Sequence, residues 1–342
     1  MAVQNKDENS LPGSKLTIAD IAAELGVSKT TVSRAISGKG RIGKETVRRV
    51  MECIEKYNYR PSAIAKGLAT SKTYNIGVAF PADTNLSITP FFQICLLGVC
   101  EAAAAMDYNV LVTTVKENDI SQLKRIVENH NIDGIILTRN FMNDMATEYL
   151  KQKDIPFVLV GSSEDDTIVQ VDSNHREACE KLVSLLLADK MSRIALIAGD
   201  KRHMVNRSRC EGYINALRSR QISIDTELVF TDCDSQVSIE QAVNSILKHR
   251  AECIVCTDDV ICTRVLSLLR EAGAHVPGDI KVASFHDSFY LETNNPPVTA
   301  VGMDVKELGC IAGKRLIEML GGDTGIHKKI LDYEIHLRRS TQ

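Results

Sequence analysis

Beyond Tyr74, short apolar runs rich in β-branched residues alternate with amphipathic helical segments for the rest of the chain. This repeated order of strand and helix requires parallel strands joined by right-handed crossovers. Ten runs are many for one open sheet, so the pattern predicts an α/β fold with two doubly wound lobes and a cleft between them. The runs are NIGVAF, NVLVTTV, GIILT, PFVLVG, TIVQVD, RIALIAG, LVFTDC, ECIVCT, KVASFH and TAVGMD.

The segment before Tyr74 has a helical pattern instead. In TIADIAAELGVSKTTVSRAISG, Thr17 occupies an N-cap position with Asp20 three residues later, as in a capping box. Gly26 can supply the positive φ of a tight turn, and Ser28 can cap a second helix that buries Val32. A third helix, from Lys44 to Tyr57, closes a three-helix head. Its expected buried residues are Val47, Val50, Ile54 and Tyr57.

The second helix combines a buried face with polar side chains near its N-terminus. This combination is typical of a DNA-reading helix-turn-helix, in which those polar side chains reach the major groove. We expect major-groove contacts from Lys29, Thr30 and Arg34. Contacts to the phosphate backbone are expected from Thr17, Ser28, Thr31 and Ser33. The alternative is an ordinary capped helical hairpin with a polar outer face.

Charge is distributed unevenly between the two parts of the chain. Residues 1–75 hold 13 Lys and Arg against 7 Asp and Glu, whereas the whole chain holds 41 against 44. The head therefore carries a net charge of +6 and the remainder −9. A basic head on an acidic body indicates that only the head meets a polyanion, although a solvated N-terminal surface would look the same.

From Leu16 to Thr73 the sequence closely resembles the DNA-binding head and hinge of the lactose-repressor (LacI/GalR) family of bacterial transcription regulators. The resemblance rests on TIADIA, GVSKTTVSRAISG and ETVRRVMECIEKYNYRPSAIAKGLAT. It continues through Pro90-Phe91-Phe92, DGIIL, VDSN, RSRCEGY and the terminal Arg339-Ser340-Thr341. The resemblance implies a repressor with a periplasmic-binding-protein-like effector domain, acting as a homodimer on a pseudo-palindromic double-stranded DNA operator.

The resulting domain plan has four parts. Residues 1–14 form a flexible leader, 15–60 the helix-turn-helix domain, 61–73 the hinge helix and linker, and 74–342 the effector-binding and dimerisation domain. Within the last, the N-lobe takes about 74–172 and 304–331, and the C-lobe about 173–303 and 332–342.

The hinge SAIAKGLAT is too short to be a stable helix alone and needs a partner to fold. The resemblance implies that DNA and the hinge of a second subunit supply that partner, with Leu68 as an apolar wedge in the minor groove and Ala65 and Lys66 beside it. Relatives often carry a basic residue where this chain has Ala69. A plain linker with an exposed leucine is the alternative.

Ligands of two-lobed α/β proteins bind at the carboxyl ends of strands that face the cleft. That rule alone selects residues 81–92, 161–163, 257–259 and 286–288. The family resemblance adds Arg209, which matches the arginine that binds the effector in relatives, and places Phe91 or Phe92 as an apolar wall. The expected effector-binding residues are Pro81, Asp83, Phe91, Phe92, Gly161, Arg209, Thr257, Asp258, His286 and Met303.

Several of these positions have other interpretations. Arg209 can instead form a salt bridge to the other lobe, His286 can be a buried and satisfied histidine, and Asp258 or Asp259 can cap the next helix. Where sugar-binding relatives place carboxylates or amides, this chain has Gly161 and His286 among others. A sugar or sugar derivative is expected, but fewer partners for ring hydroxyls leave a non-sugar ligand open.

Other classes of protein are disfavoured. We find no apolar stretch of bilayer length and no signal-peptide core, which predicts a cytoplasmic protein without membrane contact. Cys253 and Cys256, three apart in an apolar run, should point to opposite faces of a strand, so we expect no metal and no cofactor. GxGxxG, P-loop, GxSxG and HExxH motifs do not occur, which argues against an enzyme. The remaining alternative is a cytoplasmic solute-binding receptor without DNA function.

Overall fold

The computed structural model describes residues 17–37, 41–57, 72–142, 144–189, 191–325 and 327–342. The chain divides between Thr73 and Tyr74 into two compact units, the head and the body, and each is described by itself. Elements are numbered here in chain order.

The described residues of the head form three helices, α1 (Ile18–Leu25), α2 (Lys29–Ser37) and α3 (Lys44–Lys56). The expected capping box is present, since the Asp20 amide donates to Thr17 Oγ1 (3.4 Å) and the Thr17 amide donates to Asp20 Oδ2 (2.7 Å). Gly26 ends α1 with φ +66°, a conformation that costs glycine little. The turn between α1 and α2 is therefore fixed by local chemistry.

The three helices share a small apolar core. Ile21, Val32 and Val50 are fully buried at its centre, in agreement with the sequence pattern. Tyr57 was expected to be buried there and is not: it is 42% exposed, and its hydroxyl donates to a Glu24 carboxylate oxygen (3.0 Å). The helix ends at Lys56, so Tyr57 lies past the buried face, and the phenol gains a polar partner at the surface.

The body contains two six-stranded sheets. The first has the order β11-β5-β4-β3-β1-β2, and all its strand pairs are parallel. Its strands are β1 (Asn75–Pro81), β2 (Asn109–Val115), β3 (Gly134–Leu137), β4 (Phe157–Val160), β5 (Val169–Ser173) and β11 (Lys328–Leu331). We call this sheet and the helices packed on it the N-lobe.

The second sheet has the order β12-β10-β9-β8-β6-β7, with only the β10–β12 pair antiparallel. Its strands are β6 (Ile194–Ile197), β7 (Val229–Phe230), β8 (Cys253–Cys256), β9 (Lys281–Ser284), β10 (Thr299–Gly302) and β12 (Glu334–His336). This sheet and its helices form the C-lobe. All ten strands expected from the sequence are present, and β11 and β12 are additional.

Helices connect the strands and cover both sheets. They are α4 (Pro90–Ala105), α5 (Ser121–Glu128), α6 (Met145–Gln152), α7 (His175–Ala188), α8 (Met204–Ser219), α9 (Gln236–Lys248), α10 (Asp259–Glu271), α11 (Phe289–Glu292) and α12 (Val305–Leu320). The chain passes from the N-lobe sheet to the C-lobe sheet after β5, returns after β10 and crosses again between β11 and β12.

Close helix packing in the N-lobe depends on glycine. A Cβ added to Gly98 of α4 would lie 2.0 Å from the Lys306 carbonyl oxygen, and one added to Gly309 of α12 would lie 2.0 Å from the Cys95 carbonyl oxygen. The two helix backbones touch at these points, so no larger residue fits without moving a helix.

Seven of the ten cysteines are buried, and Cys100, Cys210 and Cys310 are half-buried. Cys253 belongs to the core on one face of the C-lobe sheet and Cys256 to the core on the other, as strand alternation predicts. All ten cysteines of the chain are free thiols. Within the described ranges, no helix is both long and apolar enough to cross a membrane.

Candidate functional site

The outer face of α2 carries the side chains expected to read DNA. Val32 is fully buried against the other helices, whereas Lys29, Thr30 and Arg34 are exposed. Ser33 is exposed on the same side. The predicted division of this helix into a buried and a polar face is therefore confirmed, as a recognition helix requires.

The hydroxyl groups expected at phosphates lie at the starts of the first two helices. Ser28 Oγ accepts the Thr31 amide (3.1 Å) and lies 2.9 Å from Thr31 Oγ1. The Thr17 hydroxyl donates to Asp20 Oδ2 (2.6 Å). These groups organise helix N-termini, which are suited to phosphate because free amides and the helix dipole point outward there. The hinge residues Ala65, Lys66 and Leu68 lie outside the described residues, as does the leader.

The N-lobe edge of the cleft has an ion pair between a largely buried arginine and an exposed aspartate. Arg139 lies two residues after the end of β3. Its two terminal nitrogens donate to the two Asp83 carboxylate oxygens, at 2.6 and 3.0 Å. Burial alone would raise the pKa of Asp83, but the hydrogen bond and charge of Arg139 outweigh it and lower that pKa. The carboxylate expected to meet an effector is thus already held by a neighbour in its own lobe.

A second carboxylate ends β5 at the same edge. Asp172 accepts hydrogen bonds from the Ser162 hydroxyl (2.6 Å), the Ser173 amide (2.8 Å) and the His175 ring (3.1 Å to Nε2). Burial would raise the pKa of Asp172, but the His175 interaction and these hydrogen bonds together lower it. Because its lone pairs are occupied, Asp172 fixes the first crossing between the lobes.

The C-lobe edge is built around Arg209, on the second turn of α8. The side chain is only 7% exposed, and its Nη1 donates to the Thr257 carbonyl oxygen (2.8 Å). The Thr257 hydroxyl accepts the Gly199 amide (3.1 Å). Asp258 caps α10 by accepting the Ile261 amide (2.9 Å), as one interpretation of the sequence expected. Among the described residues, Arg209 forms no salt bridge to a carboxylate.

Four buried polar atoms where the lobes meet have no hydrogen-bond partner among the described residues: Arg209 Nε, His286 Nδ1 and Ser288 Oγ at the C-lobe edge, and His175 Nδ1 beside Asp172. A buried donor or acceptor left unpaired costs about 1–3 kcal/mol, so such a concentration is unusual in a region that serves stability alone. Because His286 Nδ1 is one of these atoms, His286 is not a buried histidine whose hydrogen-bonding groups are all satisfied.

His286 lies where the two lobes approach each other. Its ring meets the edge of the Phe91 ring from α4 at a centroid distance of 5.9 Å, and Phe91 packs in turn against Phe92 (5.3 Å). Burial, with smaller contributions from the positive charges of Arg209 and His175, lowers the pKa of His286 to about 3. The imidazole is thus neutral near pH 7 and has one donor and one acceptor nitrogen.

Two family models match the chain. Bacterial regulatory proteins of the lacI family match residues 17–62, and a periplasmic binding protein-like domain matches residues 183–341. The chain is a member of the LacI family.

Curated relatives align over nearly the whole length. The chain is 29% identical to the HTH-type transcriptional regulator pepR1 of Lactobacillus delbrueckii subsp. lactis over 337 residues, which is 95% of this chain and 98% of the relative. It is 28% identical to catabolite control protein A of Staphylococcus epidermidis over 333 residues, or 96% and 99%. These LacI-family relatives are transcription regulators.

Two solved structures extend the likeness to the fold. One is the transcriptional regulator CelR in complex with cellobiose (TM-score 0.73, 24% identity, 95% of this chain and 99% of the other). The second is the lac repressor dimer bound to operator and the anti-inducer ONPF (TM-score 0.78, 23% identity, 96% and 99%). At these identities the likeness shows a shared fold.

The remaining expected residues of this LacI-family chain surround the same edges. Pro81 ends β1 and is buried, Gly161 follows β4 with φ +128°, and Met303 follows β10 and is half-buried. Sequence reasoning missed Arg139 and Asp172 as site residues. The signal was present, because both stand at or just after the carboxyl end of an N-lobe strand.

Proposed function

We propose that this LacI-family chain is a sequence-specific DNA-binding transcription regulator, a repressor, whose operator affinity is set by a small molecule bound between the lobes. One observation supports the effector site most directly. The C-lobe edge buries Arg209, His286 and Ser288 with unpaired polar atoms, and a ligand with several hydrogen-bonding groups would satisfy them.

The proposed effector is a sugar or sugar derivative. The names of the relatives support this, since one is a catabolite control protein and one structural neighbour holds cellobiose. In this chain Arg209 donates to a ligand oxygen, neutral His286 accepts or donates, and Phe91 contacts an apolar ring face. Ligand binding shifts the population of lobe arrangements, and operator affinity changes with that population.

A thermal-shift screen over sugars, sugar phosphates, nucleobases and polyols tests the effector site. A ligand at 100 times its Kd stabilises the folded chain by about 2.7 kcal/mol, which gives a clear rise in melting temperature. The expected result is stabilisation of wild type by one chemical class and a much smaller stabilisation of Arg209→Ala at the same ligand concentration. Equal stabilisation of wild type and Arg209→Ala would place the site elsewhere.

The head is proposed to read base pairs through Lys29, Thr30 and Arg34. Lys29→Ala should weaken binding to a selected operator and flatten the preference for guanine, a contact worth about 1–3 kcal/mol of discrimination. Glu55→Ala, an exposed change on α3, is the matched control. Binding across an operator library that is unchanged in Lys29→Ala would reject α2 as the recognition helix. A protein with no retention on duplex DNA at low salt would be a solute receptor instead.

A homodimer in the cytoplasm is proposed as the working form. The N-lobe exposes an apolar face made by α4 and by β2, the end strand of its sheet: Leu97 is 62% exposed and Val112 54%. Ile94, one turn before Leu97 on α4, is exposed as well. An unpaired apolar edge invites a partner, and a two-fold dimer would match a pseudo-palindromic operator. Leu97→Asp with Val112→Asp should yield a monomer in sedimentation velocity; an unchanged dimer would place the interface elsewhere.

A further inference from the structure

A short stretch after β3 meets a short stretch after β6 at one side of the cleft. In the N-lobe the stretch is residues 138–142, and in the C-lobe it is residues 200–204, immediately before and into α8. Phe141 and His203 form an isolated antiparallel β-bridge. We call the residues of these two stretches the clasp.

Two main-chain hydrogen bonds join the lobes in the clasp. The Met142 amide donates to the Arg202 carbonyl oxygen (3.1 Å), and the Met204 amide donates to the Asn140 carbonyl oxygen (3.4 Å). Each bond links residues of different lobes, so neither bond can persist if the lobes separate at this side. The two amides are therefore local reporters of closure.

Side chains reinforce the bridge. The rings of Phe141 and His203 lie 4.4 Å apart at an interplanar angle of 31°, and Phe141 is buried. The Arg139 guanidinium stands over the Phe141 ring at 4.4 Å while holding Asp83 with both terminal nitrogens. Burial and the charge of Arg139 lower the pKa of His203 to about 4, so a neutral ring stacks on Phe141 at neutral pH.

Ion pairs at the rim of the clasp also cross the cleft. Arg202 donates to Glu117 (2.7 Å) and Arg207 donates to Glu164 (2.9 Å). Both pairs are substantially exposed, with about half of each arginine side chain accessible. Exposed pairs contribute little and are screened by salt. The aromatic stack and the two main-chain hydrogen bonds therefore contribute more than these pairs to holding the lobes together here.

The contacts form a continuous path between two parts of the proposed effector site. Asp83 binds Arg139, Arg139 covers Phe141, Phe141 stacks on His203, and His203 is the residue before α8. Arg209 lies six residues further along that helix, about 9 Å at 1.5 Å per residue. Any movement of His203 with its helix is thus carried to the Arg209 side chain.

We propose that Phe141 and His203 are positioning residues that hold the two halves of the effector site in the closed, binding-competent arrangement. This inference rests on the proposed function and adds the device that sets lobe closure. Loss of the stack lowers the closed fraction, and apparent ligand affinity falls by the same factor. Neither residue needs to touch the ligand.

Residue-resolved amide hydrogen exchange on the full chain, with no ligand or DNA added, tests the clasp. In wild type the Met142 and Met204 amides should exchange slowly. Phe141→Ala and His203→Ala should each speed both amides about tenfold or more, because the bridge opens locally. Phe141→Tyr keeps the stack and should retain slow exchange. Phe289→Ala, which removes a 71% exposed aromatic ring from the C-lobe, is the matched control.

Internal amides separate local opening from unfolding. The Ile135 amide, bonded to the Pro156 carbonyl inside the N-lobe, and the Ala198 amide, bonded to the Phe230 carbonyl inside the C-lobe, should stay protected in every variant. If Phe141→Ala also exposes these amides, Phe141→Leu, which keeps apolar volume without an aromatic stack, replaces it.

Three results would overturn the proposal. Met142 and Met204 could exchange at unprotected rates in wild type, the stack variants could leave both amides unchanged, or 1 M salt could open the bridge as fully as the variants do. The last result would assign closure to the ion pairs. Because the experiment uses neither operator nor effector, these outcomes are distinct from a failure of the proposed regulator function.

Discussion

The two lobes share a sheet topology but differ in how they treat polar groups at the cleft. At the N-lobe edge, Asp83 and Asp172 are held by Arg139, Ser162 and His175. At the C-lobe edge, Arg209 and His286 are buried and Ser288 is half-buried, and each has a buried polar atom without a partner among the described residues. The same architecture therefore carries an N-lobe edge that is satisfied except at His175 Nδ1 and a C-lobe edge with three unpaired atoms.

This contrast separates stability from recognition. A saturated hydrogen-bond network fixes geometry and has little capacity left for a ligand, whereas unpaired buried groups cost stability that a ligand can restore. The N-lobe edge then acts as a rigid wall, and the C-lobe edge supplies the groups that select the effector. Substitutions at the N-lobe edge should lower the free energy of unfolding. Substitutions at the C-lobe edge should raise it or lower ligand affinity instead.

The largest effect is expected at the satisfied edge. Asp172→Ala removes the acceptor of three hydrogen bonds and leaves the His175 ring and Ser162 hydroxyl unpaired in a buried place. Removing one partner of a buried pair costs about 3–5 kcal/mol, measured as the free energy of unfolding in urea. Glu148→Ala, an exposed carboxylate of the same lobe, should change it by less than about 0.5 kcal/mol. An equal change in the free energy of unfolding in both variants would show that the hydrogen bonds of Asp172 do not stabilise the fold.

The next largest expected effect is an increase in the free energy of unfolding, caused by a substitution at the C-lobe edge. Burial raises the pKa of Asp259 from 3.8 to about 6, so in the folded protein the ionised form is disfavoured. The cost of the buried charge is complete above pH 6 and absent below pH 3.8. Asp259→Asn should stabilise the chain by about 3 kcal/mol at pH 7.5 and by about half as much at pH 5.

The pH dependence of that gain distinguishes the titration of Asp259 from a general packing change. Asp234→Asn, an exposed carboxylate of the same lobe, should show no gain at either pH. A gain in Asp259→Asn of equal size at both pH values, or a loss at pH 7.5, would contradict the assignment.

Arg209→Ala should affect ligand binding more than folding. The variant loses a charge-assisted hydrogen bond of roughly 1.5–3 kcal/mol to the effector, which lowers affinity on the order of 10- to 150-fold in isothermal titration with the ligand found by screening. Operator affinity without ligand should be preserved. Arg218→Ala, near the end of the same helix, is the control. Wild-type ligand affinity in Arg209→Ala would remove this residue from the site.

The smallest expected effect compares two serines directly. Ser162→Ala breaks a hydrogen bond to the Asp172 carboxylate and should cost about 1–2 kcal/mol, whereas Ser288→Ala removes a hydroxyl that makes no well-formed hydrogen bond and only a weak interaction with the Asp259 carboxylate, and should cost less than about 0.5 kcal/mol. Paired thermal melts of the two variants are sufficient. Reversal of the order would mean that the two edges do not differ as described.

Much of the fold follows from local sequence. Alternating apolar runs located ten of the twelve described strands, and the capping box at Thr17 with Gly26 located the first two helices. Strands β11 and β12 escaped because their sequences, KKIL and EIH, contain only two and one apolar residues and so form no apolar run. Tyr57 was misplaced because helical spacing continues past the point where the helix ends.

The site was less accessible to sequence reasoning. The rule that ligands bind at strand ends predicted His286 and Thr257 as site residues. It did not predict that Arg139 pairs with Asp83, because that pairing depends on which strands are neighbours rather than on spacing along the chain. The unpaired atoms of Arg209 and Ser288 could not be inferred at all, since an unmade hydrogen bond leaves no mark in a sequence.

The central claim, that a ligand at the Arg209 edge controls DNA binding, is tested most directly by reciprocal titration. Operator affinity is measured by fluorescence anisotropy with and without saturating ligand, and ligand affinity by calorimetry with and without saturating operator. Thermodynamic linkage requires the two affinities to change by the same factor, typically about 5- to 150-fold. The account predicts equal factors in wild type and, at the same ligand concentration, a much weaker ligand response in Arg209→Ala. Operator affinity that is unchanged by saturating ligand in wild type would contradict it.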